Sequence, residues 1–176
     1  YQALLNELLE DALASKRVEL AVVTFGPVRL VQDFETPDMI ASTDLEVTGD
    51  TPMGEAIEFA IDLVHQRKDV YRQAGIAYYR PWIFVITDGA PTDSWKAAAR
   101  AVKEGEASNA FSLFAVAVDG ADMGTLSQIA VREPIKLKGL RFAELFRWLS
   151  NSLKSVSRSK TTERVALPAP TGWAEV

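Results

Sequence analysis

Two residues carry the most specific chemical signal in this sequence. Asp88 directly follows the apolar run Trp82–Thr87, and Thr51 stands just after Gly49, before a Pro that opens a helical pattern. A carboxylate and a hydroxyl are hard oxygen donors, the kind that hold Mg²⁺, Ca²⁺ or Mn²⁺. Each residue also has an ordinary use. Asp-Gly is a common turn, and a Thr ahead of a helix is a common cap. The pair makes a metal site only if the fold brings both to one point.

Composition removes several other chemistries. The chain has 176 residues, the length of one domain with a sizeable core, and is 48% hydrophobic and 24% charged, as globular proteins are. Cysteine is absent, which excludes disulfides, thiol catalysis and Cys-ligated zinc. The net charge of −5 argues against a nucleic-acid partner, whose phosphates call for a basic surplus. The runs Ile83–Ile86 and Phe111–Val118 are too short to cross a bilayer. No signal-peptide pattern opens the sequence, so the expected setting is the cytoplasm.

The elements that must position Thr51 and Asp88 follow from hydrophobic periodicity. Leu4, Leu5, Leu8, Leu9, Ala12 and Leu13 fall at helical spacing, so the sequence opens inside a helix and is read as lacking an N-terminal segment. Val18–Phe25 reads as a strand buried on both faces, and Gly26-Pro27 turns it into an edge strand at Val28–Phe34. A helix starts at Thr51-Pro52, with Pro52 at its first position, and presents Met53, Ile57, Ala60, Ile61 and Val64 until Gly75 ends it. Trp82–Thr87 and Phe111–Val118 are buried strands, and Ile135–Leu137 is a short one. Helices are expected at Ser94–Lys103, capped by Asp93, near Thr125–Ala130, and at Phe142–Val156. A Pro-containing tail, 158–176, follows a domain spanning 1–157, with Val165, Leu167 and Trp173 as its apolar anchors.

Strands alternating with helices predict a doubly wound, mostly parallel α/β sheet with an antiparallel edge hairpin. In such sheets the loops at the carboxyl ends of the strands form the binding rim. That rim should gather Thr48–Thr51, Asp88–Asp93 and Asp119–Asp122.

Other residues invite chemistry and receive plainer readings. His65 is a solvated or boundary residue of its helix. Arg67, Lys68, Arg72 and Arg80, with Tyr71, Tyr78, Tyr79 and Trp82, read as a solvated helix face beside an aromatic boundary. Asp119 and Asp122 are expected to cap the next helix. Trp95 serves either a partner or the packing of its own helix.

Thr-Gly-Asp-Thr-Pro-Met-Gly-Glu-Ala at Thr48–Ala56, with Ile-Thr-Asp-Gly-Ala-Pro-Thr-Asp at Ile86–Asp93, closely resembles the von Willebrand factor A domain family. That resemblance implies a metal-ion-dependent adhesion site with Thr51 and Asp88 as ligands. A partner protein then fills the open coordination position with an acidic residue. Pro91–Trp95, Ser155–Ser157 and the Leu-Pro-x-Pro of Leu167–Pro170 are similar to the bacterial TerY-like branch of tellurite-resistance clusters. This implies a stress system with kinase- or phosphatase-like neighbours. The family's Asp-x-Ser-x-Ser motif, which brings two serine ligands and an aspartate, has no counterpart in the sequence. It belongs to a central strand expected between Val18–Phe25 and Trp82–Thr87. Its absence predicts a gap in the sheet and weak metal binding at best.

The expected function is therefore metal-dependent protein binding without catalysis. A degenerate scaffold without metal, or a metal-dependent hydrolase or phosphatase using Asp88, are the alternatives. The hydrolase lacks a convincing second base at the rim.

Overall fold

The computed structural model describes residues 1–41, 45, 49–139, 141–161, 165–169, 172 and 174–175. In chain order its elements are α1 (Gln2–Leu9), α2 (Ala14–Arg17), β1 (Leu20–Thr24), β2 (Arg29–Glu35), α3 (Met53–Gln73) and β3 (Trp82–Thr87). They continue with α4 (Lys96–Ala107), β4 (Ser112–Ala117), α5 (Met123–Ile129), β5 (Ile135–Leu137), α6 (Phe142–Arg158) and β6 (Ala174–Glu175).

The fold is α/β. β3, β4 and β5 lie side by side in parallel, and β6 adds antiparallel to β5 at the edge. Successive side chains of a strand point to opposite faces, and the apolar strands feed two cores in that way. Leu113, Ala115 and Ala117 of β4, with Ile83 and Val85 of β3, pack under α3, α4 and α5. Val116 and Val118 turn to the other face, with Trp82, Phe84 and Ile86, beneath α1 and α6. Helices therefore cover both faces, as the alternating pattern predicts.

The gap expected beside the hairpin is present, and only the burial of β1 departs from expectation. β1 and β2 pair antiparallel but form a sheet of their own, and β1 does not join β3. β1 is half-buried along its whole length rather than buried on both faces. The reason is the space beside it. A cavity of about 720 Å³ separates the two sheets, bounded by Leu20, Val64, Trp82, Phe84, Leu149 and Leu153. Neighbouring strands lie ~4.8 Å apart and exchange backbone hydrogen bonds. Among the described residues β3 has β4 as its single strand neighbour, so one long edge of β3 faces the cleft.

The basic and aromatic residues near the cleft are not a solvated helix face. Arg67 pairs with Glu19, Lys68 is buried and donates to the Ala110 carbonyl at 3.1 Å, and Arg80 pairs with Glu106. Tyr71 stacks on Tyr78. Arg72 alone of the four cations is solvated as expected, and His65 is exposed.

The tail lies against the domain. Leu167 joins the core under α6, the Trp148 indole donates to the Pro168 carbonyl at 2.7 Å, and Ala174 is buried where β6 meets β5. Trp173, the anchor expected from the sequence, lies outside the described residues, as does Thr48. Among the described residues no helix is long and apolar enough to cross a membrane.

Candidate functional site

The site is built from the N-terminus of α3 and the loop that follows β3. Thr87, the last residue of β3, is buried, and its hydroxyl accepts from the Gly89 amide at 3.2 Å, which folds the Asp-Gly turn. The Thr87 carbonyl is held in turn by the Val118 amide at 2.8 Å. Gly120, with φ at +100°, lies so close that a Cβ there would sit 2.9 Å from the Asp88 carbonyl. Two loops thus converge at the carboxyl end of β3 and β4, as the topology requires. Asp88 is exposed at the top of its turn.

Thr51 reaches this turn from the other side. Its amide donates to the Thr92 hydroxyl at 3.1 Å, and the Thr92 amide returns a bond to the Thr51 carbonyl at 2.9 Å. A Cβ placed on Gly89 would lie 3.2 Å from the Thr51 hydroxyl. The hydroxyl therefore faces the residue immediately after Asp88. The structure brings the two candidate ligands onto adjoining loops of one rim.

The capping pattern differs from the sequence reading in three respects. Pro52 occupies the N-cap of α3 rather than the first helical position, and no side chain at that position caps the helix. Asp93 does not cap its own helix, which begins at Lys96 with Trp95 as N-cap. Asp93 instead accepts from the Gly54 amide at 3.0 Å and the Glu55 amide at 2.8 Å, capping α3 from another loop. Orphan amides at a helix start need acceptors, and their usual source is a residue next to them in sequence. Here the acceptor is 38 and 39 residues away, which a pass along the sequence does not reveal. The hint was Pro52 itself, a residue with no side-chain acceptor at the helix start.

Of the other rim carboxylates, Asp122 caps α5, accepting from the amide and hydroxyl of Thr125, and these bonds lower its pKa. Asp119 is exposed and caps nothing. Trp95 packs against the core beneath α4, so its packing role is the one seen.

The donor set can be judged on its chemistry. Among the described residues no group of three or more carboxylates or histidines could hold a metal ion; with Asp93 and Asp122 engaged as caps, the pair Thr51 and Asp88 offers one carboxylate and one hydroxyl. Mg²⁺ keeps most of its water and is commonly held by one or two carboxylates. Thr51 and Asp88 fit such a largely hydrated ion, not a fully protein-caged one. The von Willebrand factor type A domain family matches residues 35–138, over half of the chain and including both loops. No curated protein matches the chain.

Proposed function

Since the chain belongs to the von Willebrand factor type A domain family, we propose that it is a protein-binding module in which Thr51 and Asp88 hold a divalent cation for a partner's carboxylate. The observation that carries this is the release of Thr51 from capping. A Thr at the N-cap ordinarily caps its helix, but here Pro52 holds that position and α3 takes its acceptor from Asp93. The lone pairs of the Thr51 hydroxyl are thereby left for another use, beside the Asp88 turn. When bound, the cation would supply Lewis acidity and an open position for an anionic oxygen.

The cleft between β1 and β3 supports a further part of the reading. An extended strand placed there would pair with both open edges and end at the same rim. In the family that position carries the serine-rich motif, so such a strand would enlarge the donor set. The proposal extends to a cytoplasmic bacterial module of the TerY-like branch, in a stress or tellurite-resistance system. Its partners there would be kinase- or phosphatase-like proteins presenting an acidic residue. The module binds and does not catalyse.

The test is calorimetric titration of a short peptide with one Asp or Glu, with Mg²⁺, Mn²⁺ or Ca²⁺ and then with a chelator. Binding should require the cation and vanish with the chelator. Binding that is indifferent to the cation, or heat of neither cation nor peptide, would refute the proposal.

A further inference from the structure

Asp93 does more at this rim than cap a helix. The first four amides of α3 are all taken: Met53 by the Thr51 carbonyl at 2.7 Å, Gly54 and Glu55 by Asp93, and Ala56 by the Pro52 carbonyl at 3.0 Å. None draws on the Thr51 hydroxyl. The Asp93 carboxylate takes one amide on each oxygen, at the positive end of the helix dipole, a charge-assisted arrangement that holds position well.

A second contact sets the same spacing. A Cβ at Gly54 would sit 2.6 Å from the Ser94 carbonyl oxygen and 2.9 Å from the Trp95 Cα. The start of α3 therefore rests directly on the backbone of the β3–α4 loop. That loop is anchored on one side by Trp95 in the core and on the other by the Thr87–Gly89 turn. Between these anchors the Thr51 amide donates to the Thr92 hydroxyl, and the Thr92 amide donates to the Thr51 carbonyl.

We propose that Asp93 is a positioning residue for the cation site: by capping α3 from the Asp88 loop, it sets where Thr51 stands and leaves the Thr51 hydroxyl free to act as a ligand. The inference rests on the cation-binding reading above, and one of its two readouts does not depend on it.

The test compares Asp93→Ala and Asp93→Asn with the native chain by amide hydrogen exchange and by Mg²⁺ titration. Thr92→Val serves as a second variant that breaks the Thr51 bond without touching α3. A residue that only caps α3 would alter exchange at Gly54 and Glu55 and lower thermal stability. A positioning residue must also speed exchange at Thr51 and Thr92, whose amides it does not touch, by about tenfold, the equivalent of one lost cap. Mg²⁺ affinity should fall by a similar factor in Asp93→Ala and by less in Asp93→Asn, which keeps one acceptor oxygen. Unchanged exchange at Thr51 and Thr92 in Asp93→Ala would overturn the inference. So would accelerated exchange at Thr51 with Mg²⁺ affinity intact. A native chain that ignores Mg²⁺ would refute the cation site, while the exchange data would still decide whether Asp93 governs Thr51.

Discussion

Arg67 on α3 grips Glu19 with two nitrogens, Nε at 2.7 Å and Nη2 at 2.5 Å, and Tyr71 donates its hydroxyl to the same carboxylate. Glu19 immediately precedes β1, whose hairpin, among the described residues, shares no strand pairing with the main sheet. This cluster is consequently a principal tether of the hairpin to α3. Arg67→Ala should destabilise the fold by about 2 kcal/mol, the scale of hydrogen bonds to a charged group. Amide exchange in β1 and β2 should rise more than in β3. Equal effects on both sheets would show that the tether is elsewhere.

The same cluster gives a pH dependence. Burial works to raise the Glu19 carboxyl, but the bonds from Arg67 and Tyr71 outweigh it and leave its pKa below the ordinary 4.5. A depressed carboxyl contributes stability that is present above its unfolded value and lost as pH falls through the folded one. The hairpin should therefore loosen below about pH 4.5. Tyr71 moves the other way: burial and the bond to Glu19 push its pKa to about 12. Its contribution is whole below 10 and lost as pH rises through about 12. Asp11 and Asp122 also titrate low, so the acid limb is assigned by comparison with Glu19→Gln. That variant should flatten hairpin exchange against pH, and an unchanged profile would contradict the assignment.

Gly105→Ala should be destabilising although alanine is the better helix former. The Cβ would fall 2.3 Å from two ring atoms of Phe111, which is fully buried. Overpacking of this kind costs ~1–3 kcal/mol, against a propensity gain of at most ~1 kcal/mol. Chemical denaturation measures the sign. A stabilised variant would mean that α4 moves away from β4 freely.

Glu106 joins four segments with a side chain only 6% exposed, pairing with Arg80 and Arg132 and accepting from the Leu113 amide at 2.6 Å. Glu106→Ala would leave two guanidinium groups and one buried amide without this acceptor. The expected loss is about 3 kcal/mol or more, and Glu106→Gln should lose less. A loss below that of a typical surface pair would show that the arginines find other partners.

The architecture was readable where one residue's role depends on near neighbours. Trp82–Thr87 and Ile135–Leu137 have the strand limits read from their apolar runs, and α3 follows its stripe of Met53, Ile57, Ile61 and Val64 and ends at Gln73, just before Gly75. Roles set by distant partners were not readable. Asp93 looks like the cap of the helix that follows it, and its amides belong to α3. Lys68 looks solvated on a helix wheel, and its ammonium finds the Ala110 carbonyl in the connection between α4 and β4. β6 has two residues after a Pro-containing tail, too short for any periodic signal. Val18–Phe25 reads as fully buried because its composition suits a central strand, while in the fold one edge of β1 opens on the cleft. At the rim, the convergence of the Thr51 and Asp88 loops was legible from topology. The interlock through Thr92 and Asp93 was not.

The most direct measurement of the central claim uses Mn²⁺ as a paramagnetic stand-in for Mg²⁺ and follows amide resonances. The account predicts that small additions broaden Thr51, Asp88 and Gly89 first, that Mg²⁺ reverses the effect, and that Asp88→Ala abolishes it with the fold intact. Broadening centred elsewhere, or the same broadening in Asp88→Ala, would contradict it.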